Sequence, residues 1–311
     1  MLQFSKYQGL GNDFIIIDNR HGQLPAVTVN PDPIWVQQLC DRHFGIGADG
    51  LILALPGGLD FELEMRIFNA DGSEAEMCGN GIRCLAQFLA DSSGENTSCC
   101  WVVKTLAGLI RPSVQPNGQI LVDMGLPSLE PQQVPTTLNR GPAGLPQGEL
   151  VIHGTKLNIA VVGMGNPHAI IPVNDLDKID FERWAHALES HPVFPARTNV
   201  HFLKVHAINR LQIRVWERGA GPTLACGTGA CATLVAAVLL GLATNKADVM
   251  LPGGILNVSW PDRNSSVLMS GPAVAVFDGL LTPDLVSTTR DGLTSRITAT
   301  DKNLLTGELA R

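Results

Sequence analysis

At 311 residues the chain is too long for one ordinary core and long enough for two. Hydrophobic residues make up 45% and charged ones 16%, and the net charge is −7 with no basic cluster, which argues against nucleic acid as a partner. Seven cysteines, none in a Cys-x-x-Cys pair, argue against a disulfide framework and against zinc-ligand spacing, and they fit a reducing compartment.

In chain order, Phe14–Asp18 reads as a strand and Pro33–Arg42 as a helix, with Trp35, Val36 and Leu39 on one face. The strand Glu62–Asn69 follows, then a helix opened by Cys78-Gly79-Asn80-Gly81, whose apolar stripe is Ile82, Leu85, Ala86 and Leu89. Short β segments come next at Trp101–Val103, Leu109–Arg111 and Ile120–Met124. The stretch 129–149 is rich in Pro and Gly and reads as a linker.

The pattern then repeats. Ala169–Val173 reads as a strand, Phe181–Glu189 as a helix and Arg210–Glu217 as a strand. A helix opened by Cys226-Gly227-Thr228-Gly229 follows; Ala230–Leu240 is apolar nearly all round and is expected to be buried. Asp248–Leu251, Ile255–Trp260 and Val267–Ser270 close the unit. The segment 273–281 is expected to return to the first sheet, and 282–311 is a polar tail open to disorder. No apolar run reaches the roughly 18–20 residues of a membrane span. The N-terminus lacks the basic segment and apolar run of a secretory signal. A soluble, cytoplasmic protein is expected.

The two halves match residue by residue. Gly9-Leu10-Gly11-Asn12-Asp13-Phe14 aligns with Gly163-Met164-Gly165-Asn166-Pro167-His168, and Arg66-Ile67-Phe68-Asn69 with Arg214-Val215-Trp216-Glu217. Asn69 and Glu217 each stand nine residues ahead of their cysteine. The period is far too long for a solenoid. The expected fold is α/β of the α+β type. Two pseudo-symmetric domains, 1–128 and 150–272, each wrap a mixed sheet around a central helix, with the active site in the cleft between them.

The paired cysteines carry the chemistry. A helix N-terminus offers free backbone N–H groups and partial positive charge, and it lowers a thiol's pKa from its usual ~8.5. The glycines let a ligand approach that backbone. Two such thiols on opposite sides of one carbon allow a thiolate to remove a proton from one face while a thiol delivers one to the other. That inverts the stereocentre. Cys84 and Cys231, inside the helices, read as core residues. Cys40, Cys99 and Cys100 have no repeat counterpart and read as structural. Arg66 and Arg214 match in position but read as paired or solvent-facing. His168, which replaces Phe14, is either a packed histidine or one that tunes a thiol or braces a substrate.

These cysteine segments, together with 9–14, 42–50, 68–73, 165–168 and 216–219, closely resemble the diaminopimelate epimerase family from Met1 to about Gly279. The resemblance implies interconversion of LL- and meso-diaminopimelate, in lysine and peptidoglycan-precursor synthesis. It implies no pyridoxal phosphate, no metal and no other cofactor, and commonly a homodimer with Phe277 near its interface. By position, Cys78 and Cys226 would be the acid/base thiols. From the LL substrate, Cys226 would accept and Cys78 donate. His168 and Glu217 join them as catalytic candidates. The resemblance assigns Asn12, Asn69, Gly79, Asn80, Asn166, Asn199, Glu217, Arg218, Gly227 and Thr228 to substrate binding. Many members have a polar residue such as Gln at the position of Gly50, so no contact is assigned there. The rival readings are a two-cysteine racemase of the proline or hydroxyproline type and a non-catalytic amino-acid-binding protein. A phenazine-type isomerase would lack the cysteines.

Overall fold

The computed structural model describes residues 2–94, 99–282 and 285. Two sheets, each packed on a long helix, divide the molecule. The first sheet runs in the order Val274–Leu281, Leu2–Gly9, Asn12–Asp18, Gly50–Pro56, Leu63–Asn69, Val103–Thr105, Gly108–Ile110. The second contains the same series in its middle: Thr155–Gly163, Pro167–Pro172, Asn199–Ala207, Arg210–Glu217, Lys246–Leu251, Gly254–Ser259. The parallel joins fall at the same two places in each, Asn12–Asp18 beside Gly50–Pro56 and Pro167–Pro172 beside Asn199–Ala207, then Leu63–Asn69 beside Val103–Thr105 and Arg210–Glu217 beside Lys246–Leu251. The duplication seen in the sequence is a duplication of topology.

Buried strands explain the apolar runs. In Asn12–Asp18, Phe14 and Ile16 face the central core while Ile15 and Ile17 face the outer one. In Gly50–Pro56, Ile52 and Ala54 face inward and Leu51, Leu53 and Leu55 outward. A strand with both faces covered carries no polar alternation. The outer face of the first sheet packs on the helix Pro33–Cys40, through Trp35, Val36 and Leu39. Asp32 caps that helix by accepting from the Ile34 N–H, and Pro33 opens it. The outer face of the second sheet packs on Phe181–Glu189.

The inner faces enclose two helices that share one core: Gly79–Ser93 and Gly227–Leu239, here called the first and second thiol helices. The first ends at Gly94 in the left-handed conformation. The second is buried along most of its length, as its composition implies. It starts at Gly227 with Cys226 as its N-cap, as the Cys-Gly-x-Gly segment implies.

The halves also exchange strands. Val274–Leu281 lies antiparallel beside Leu2–Gly9 on the first sheet. Reciprocally, Ser113–Val114 and Ile120–Asp123, from the first half of the chain, lie on the second sheet, with Ile120–Asp123 beside Leu268–Gly271. A sequence boundary at 128 therefore does not coincide with the sheet boundary. The Pro/Gly-rich stretch is packed too: Val134 and Leu145 are fully buried. Apart from 282 and 285, the polar tail lies outside the described residues. Among the described residues no helix is long and apolar enough to cross a membrane.

Candidate active site

The cleft between the two sheets is an open cavity of about 1800 Å³ lined by both thiol-helix N-termini. Each cysteine is the N-cap of its helix, with extended backbone: Cys78 at φ −135°, ψ 122°, Cys226 at φ −130°, ψ 105°. This geometry turns the side chain back over the exposed N–H groups of the first turn. The Gly81 N–H stands 3.5 Å from Cys78 Sγ. Gly79 and Gly227 meet where the helices start. A Cβ built on Gly79 would lie 3.7 Å from the Gly227 Cα.

Asn80 ties the two halves together. Its Nδ2 donates to Asn12 Oδ1 at 3.1 Å and to the carbonyl of Ala225, the residue before Cys226, at 3.2 Å. Its Oδ1 accepts from Arg83 at 2.8 Å. Asn12 Nδ2 donates to Asp49 at 2.8 Å, so Oδ1 faces the Cys78 thiol at 3.9 Å. Asp49 is itself held by Arg42 at 2.8 Å. On the other side, Glu217 accepts from the Thr223 hydroxyl at 2.6 Å and is hydrogen-bonded to Cys226. Thr228 Oγ1 lies 3.6 Å from Cys226 Sγ.

Asn12, Asn69, Gly79, Asn80 and Cys78 line the cleft from the first half; Asn166, Glu217, Arg218, Cys226, Gly227 and Thr228 line it from the second. Two of the sequence candidates stand behind the wall. Asn199 spends its amide on the Arg218 N–H (3.0 Å) and the Pro167 carbonyl (2.8 Å), so it sets the position of Arg218. His168 is fully buried, between His201 at 2.9 Å and Asn166 Oδ1 at 2.8 Å. Arg66 pairs with Glu74 at 2.6 Å, and Arg214 lies over the Phe181 ring at 3.9 Å. Cys84, Cys231 and Cys40 are core residues. Gly50 has no room for a side chain: a Cβ there would come 2.6 Å from the Phe68 carbonyl oxygen.

The electrostatics differ from the sequence expectation. Backbone N–H groups of the helix do favour the thiolate at both cysteines. Burial outweighs them. It pushes the Cys78 thiol up, with the Glu217 charge adding to it. It pushes Cys226 well up, reinforced by Glu217 and Cys78. Burial likewise raises Glu217, against the hydrogen bonds from Thr223 and Cys226. Both shifts favour the thiol over the thiolate.

Sequence reasoning missed Arg83 and His201. Arg83 is fully buried and donates to the Gly79 carbonyl (3.0 Å), Asn80 Oδ1 (2.8 Å) and the Pro272 carbonyl (3.3 Å), with no carboxylate among these partners. Its position three residues after Asn80 on the helix was the available signal. His201 had none, because only the strand pairing brings it to the site.

The sequence matches the family model described as diaminopimelate epimerase over residues 4–130 and 160–276. Among curated relatives, the diaminopimelate epimerase of Prochlorococcus marinus (strain MIT 9313) is 64% identical over 283 residues, covering 91% of this chain and 93% of the relative. The chain belongs to the diaminopimelate epimerase family. The diaminopimelate epimerase of Acaryochloris marina is 52% identical, over 90% of this chain and 98% of the relative. In fold, the chain is similar to a hydroxyproline epimerase from Agrobacterium vitis, with TM-score 0.64, 15% identity and coverage of 89% and 91% of the two chains. A phenazine-biosynthesis protein of the PhzF family from Bacillus anthracis is equally similar, with TM-score 0.64, 17% identity and coverage of 90% and 99%. This isomerase of the diaminopimelate epimerase family thus shares its fold with proteins only 15–17% identical to it.

Proposed function

We propose that this isomerase interconverts LL- and meso-diaminopimelate without a cofactor, in lysine and peptidoglycan-precursor biosynthesis. One observation carries the reading: two N-cap cysteines on helices that meet at Gly79 and Gly227, both lining one cleft. The reacting carboxylate would sit over the two helix N-termini, where backbone N–H groups stabilise charge as the Cα proton leaves. Arg218 would hold the distal carboxylate, and the side-chain amides of Asn12, Asn69 and Asn166 the ammonium groups. A site of such paired polar groups rejects analogues that lack them.

In the direction from LL substrate, Cys226 first gives its thiol proton to the neighbouring Glu217 carboxylate. The resulting thiolate removes the Cα proton. The Cys78 thiol delivers its proton to the opposite face. The proton held by Glu217 returns through solvent to Cys78 after product leaves. The reverse direction swaps the two cysteines. Because burial opposes both thiolates, binding must supply the driving force, and an open cleft this large would narrow around substrate.

The protein is proposed to be a cytoplasmic homodimer. The strand Val274–Leu281 is a sheet edge that exposes Val274, Val276, Phe277 and Leu280. An uncovered apolar edge is a template for pairing. Sedimentation would show a dimer that Phe277→Glu shifts to monomer; an unshifted monomer in the parent protein would remove this part of the proposal.

The test of activity is proton NMR of LL-diaminopimelate in deuterium oxide with the reduced protein and no additive. Loss of the α-proton signal with appearance of the meso isomer is expected. No exchange by folded protein with free thiols would overturn the substrate assignment and turn attention to proline derivatives.

A further inference from the structure

Beneath the second thiol helix, three residues distant in sequence converge. His168, His201 and Cys226 are all buried, and one ligand atom from each lies within 4.8 Å of the others. His168 and His201 are separated by 33 residues, so no metal-ligand spacing announces them. Their rings face each other at 33°, with centroids 5.1 Å apart. Close packing holds them there: a Cβ on Gly229 would lie 2.3 Å from His201 Cε1 and 3.1 Å from Cys226 Sγ.

The hydrogen bonds define the tautomers. His168 Nε2 lies 2.8 Å from the amide oxygen of Asn166, so that nitrogen carries the hydrogen. His168 Nδ1 is then an acceptor, and His201 Nε2 donates to it at 2.9 Å. His201 Nδ1 is left as a lone pair. It is buried and has no hydrogen-bond partner among the described residues. That free nitrogen can take up the ring's hydrogen when Nε2 changes partner.

We propose that His168, His201 and Cys226 form a reversible inhibitory site for a borderline-soft divalent cation, Zn²⁺. Two imidazoles and a thiolate are a zinc donor set. With ligands at about 2.0–2.3 Å from the metal, neighbouring donors sit roughly 3.3–3.8 Å apart, so a ring separation of 2.9 Å opens by a few tenths and the sulfur moves in by about 1 Å. The metal replaces the hydrogen between the two rings. That hydrogen moves from Nε2 to Nδ1 of His201, so the ring stays neutral. The Cys226 S–H bond breaks and its proton goes to solvent. One Zn–S and two Zn–N bonds form, and no oxidant or reductant is involved. Water from the cleft would take the fourth position. The metal enters from the cleft, which Cys226 lines. A cysteine held as a ligand cannot exchange a proton with carbon. The inhibition rests on the two-thiol reading of the reaction; the binding does not.

The experiment is Co²⁺ titration of the reduced full-length protein, followed by absorption spectroscopy, with Zn²⁺ competition. A thiolate-to-cobalt band with tetrahedral ligand-field bands, displaced by Zn²⁺ and removed by chelator, is expected. Cys226→Ala and His201→Gln lose the band, whereas Cys78→Ala keeps it. In the same preparations Zn²⁺ inhibits epimerisation, chelator restores it, and His201→Gln turns over but resists Zn²⁺. Glutamine keeps a donor toward His168 and is a poor zinc ligand. If this variant fails to fold, the contrast between Cys226→Ala and Cys78→Ala still decides. No band in folded, reduced protein overturns the proposal. A band lost with Cys78→Ala also overturns it, since the metal would then bridge the two thiols across the cleft. The Co²⁺ spectrum is read whether or not diaminopimelate is the substrate.

Discussion

Gly79 and Gly227 touch across the pseudo-twofold relation of the molecule: a Cβ added to either would lie 3.7 or 3.6 Å from the other's Cα. The two helices start at one point, and this brings their N-cap thiols into one cleft. Either Cβ alone would also meet Met269 at 3.2–3.3 Å, whose flexible thioether can yield. Single alanine substitutions should therefore cost under about 1 kcal/mol, whereas the double variant places two methyls in one gap and should cost about 1–3 kcal/mol more than their sum. Urea unfolding of the four proteins measures the coupling. Additivity would mean that the helices part freely.

Cys78→Ala and Cys226→Ala should each lower epimerisation by at least about a hundredfold, the loss typical of removing a general acid or base. Circular dichroism should be unchanged, because Cys78 is only partly buried and the larger Cys226 cavity is one sulfur atom. Retained turnover in either variant would end the two-thiol mechanism.

Arg83→Met should separate chemistry from stability. Burying a guanidinium costs several kcal/mol, and that cost disappears in the variant. The Gly79 and Pro272 carbonyls and Asn80 Oδ1 lose their donor, at about 1–3 kcal/mol each if left unsatisfied. The opposing terms nearly cancel, so the net stability change is expected to stay under about 2 kcal/mol. Cys78 loses a positive charge that favours its thiolate. Its alkylation by iodoacetamide should therefore begin at higher pH than in the parent. An unshifted alkylation profile would show Arg83 to be purely structural.

Much of this was legible in the sequence because duplication doubles every signal. A lone Cys-Gly-x-Gly is ambiguous; a matched pair, each nine residues after Asn69 or Glu217, is not. What escaped depends on pairing between distant segments. The strand Leu2–Gly9 was not read from the sequence, and Lys6 within it is buried against Asp13 at 2.8 Å. The strand exchange that sends Ile120–Asp123 to the second sheet has no local signature. His201 reaches the site only because Asn199–Ala207 runs parallel to Pro167–Pro172. The thiol pKa values were misread for a related reason: the helix terminus is visible in sequence, and the burial that overrides it is not.

Asp13 should govern acid stability. Burial alone would raise its pKa, but hydrogen bonds from Arg42 and Lys6 bring it down to about 2. A folded-state pKa below the unfolded value stabilises the fold above that unfolded value, ~3.9, and the benefit is lost as pH falls toward 2. Asp13→Asn leaves the buried Lys6 without its carboxylate and should cost about 3 kcal/mol at pH 7. Denaturation midpoints of parent and variant should converge as the pH drops through that window. A gap that persists at pH 2 would place the effect elsewhere.

Gly81 and Gly229 occupy matched positions of the two thiol helices, and alanine should affect them differently. A Cβ on Gly81 would meet the Ile67 Cδ1 methyl at 2.8 Å, the free end of a side chain that can turn away. A Cβ on Gly229 would meet His201 Cε1 at 2.3 Å and Nε2 at 2.6 Å. That ring is fully buried and hydrogen-bonded to His168, so it cannot move without breaking the bond. Gly81→Ala should cost about 1 kcal/mol and Gly229→Ala about 3 kcal/mol, near the two ends of the range for overpacking. Chemical denaturation gives both values. Equal costs would mean that the His168–His201 pair yields as easily as a methyl group, and that the second half of the site is not held rigid by it.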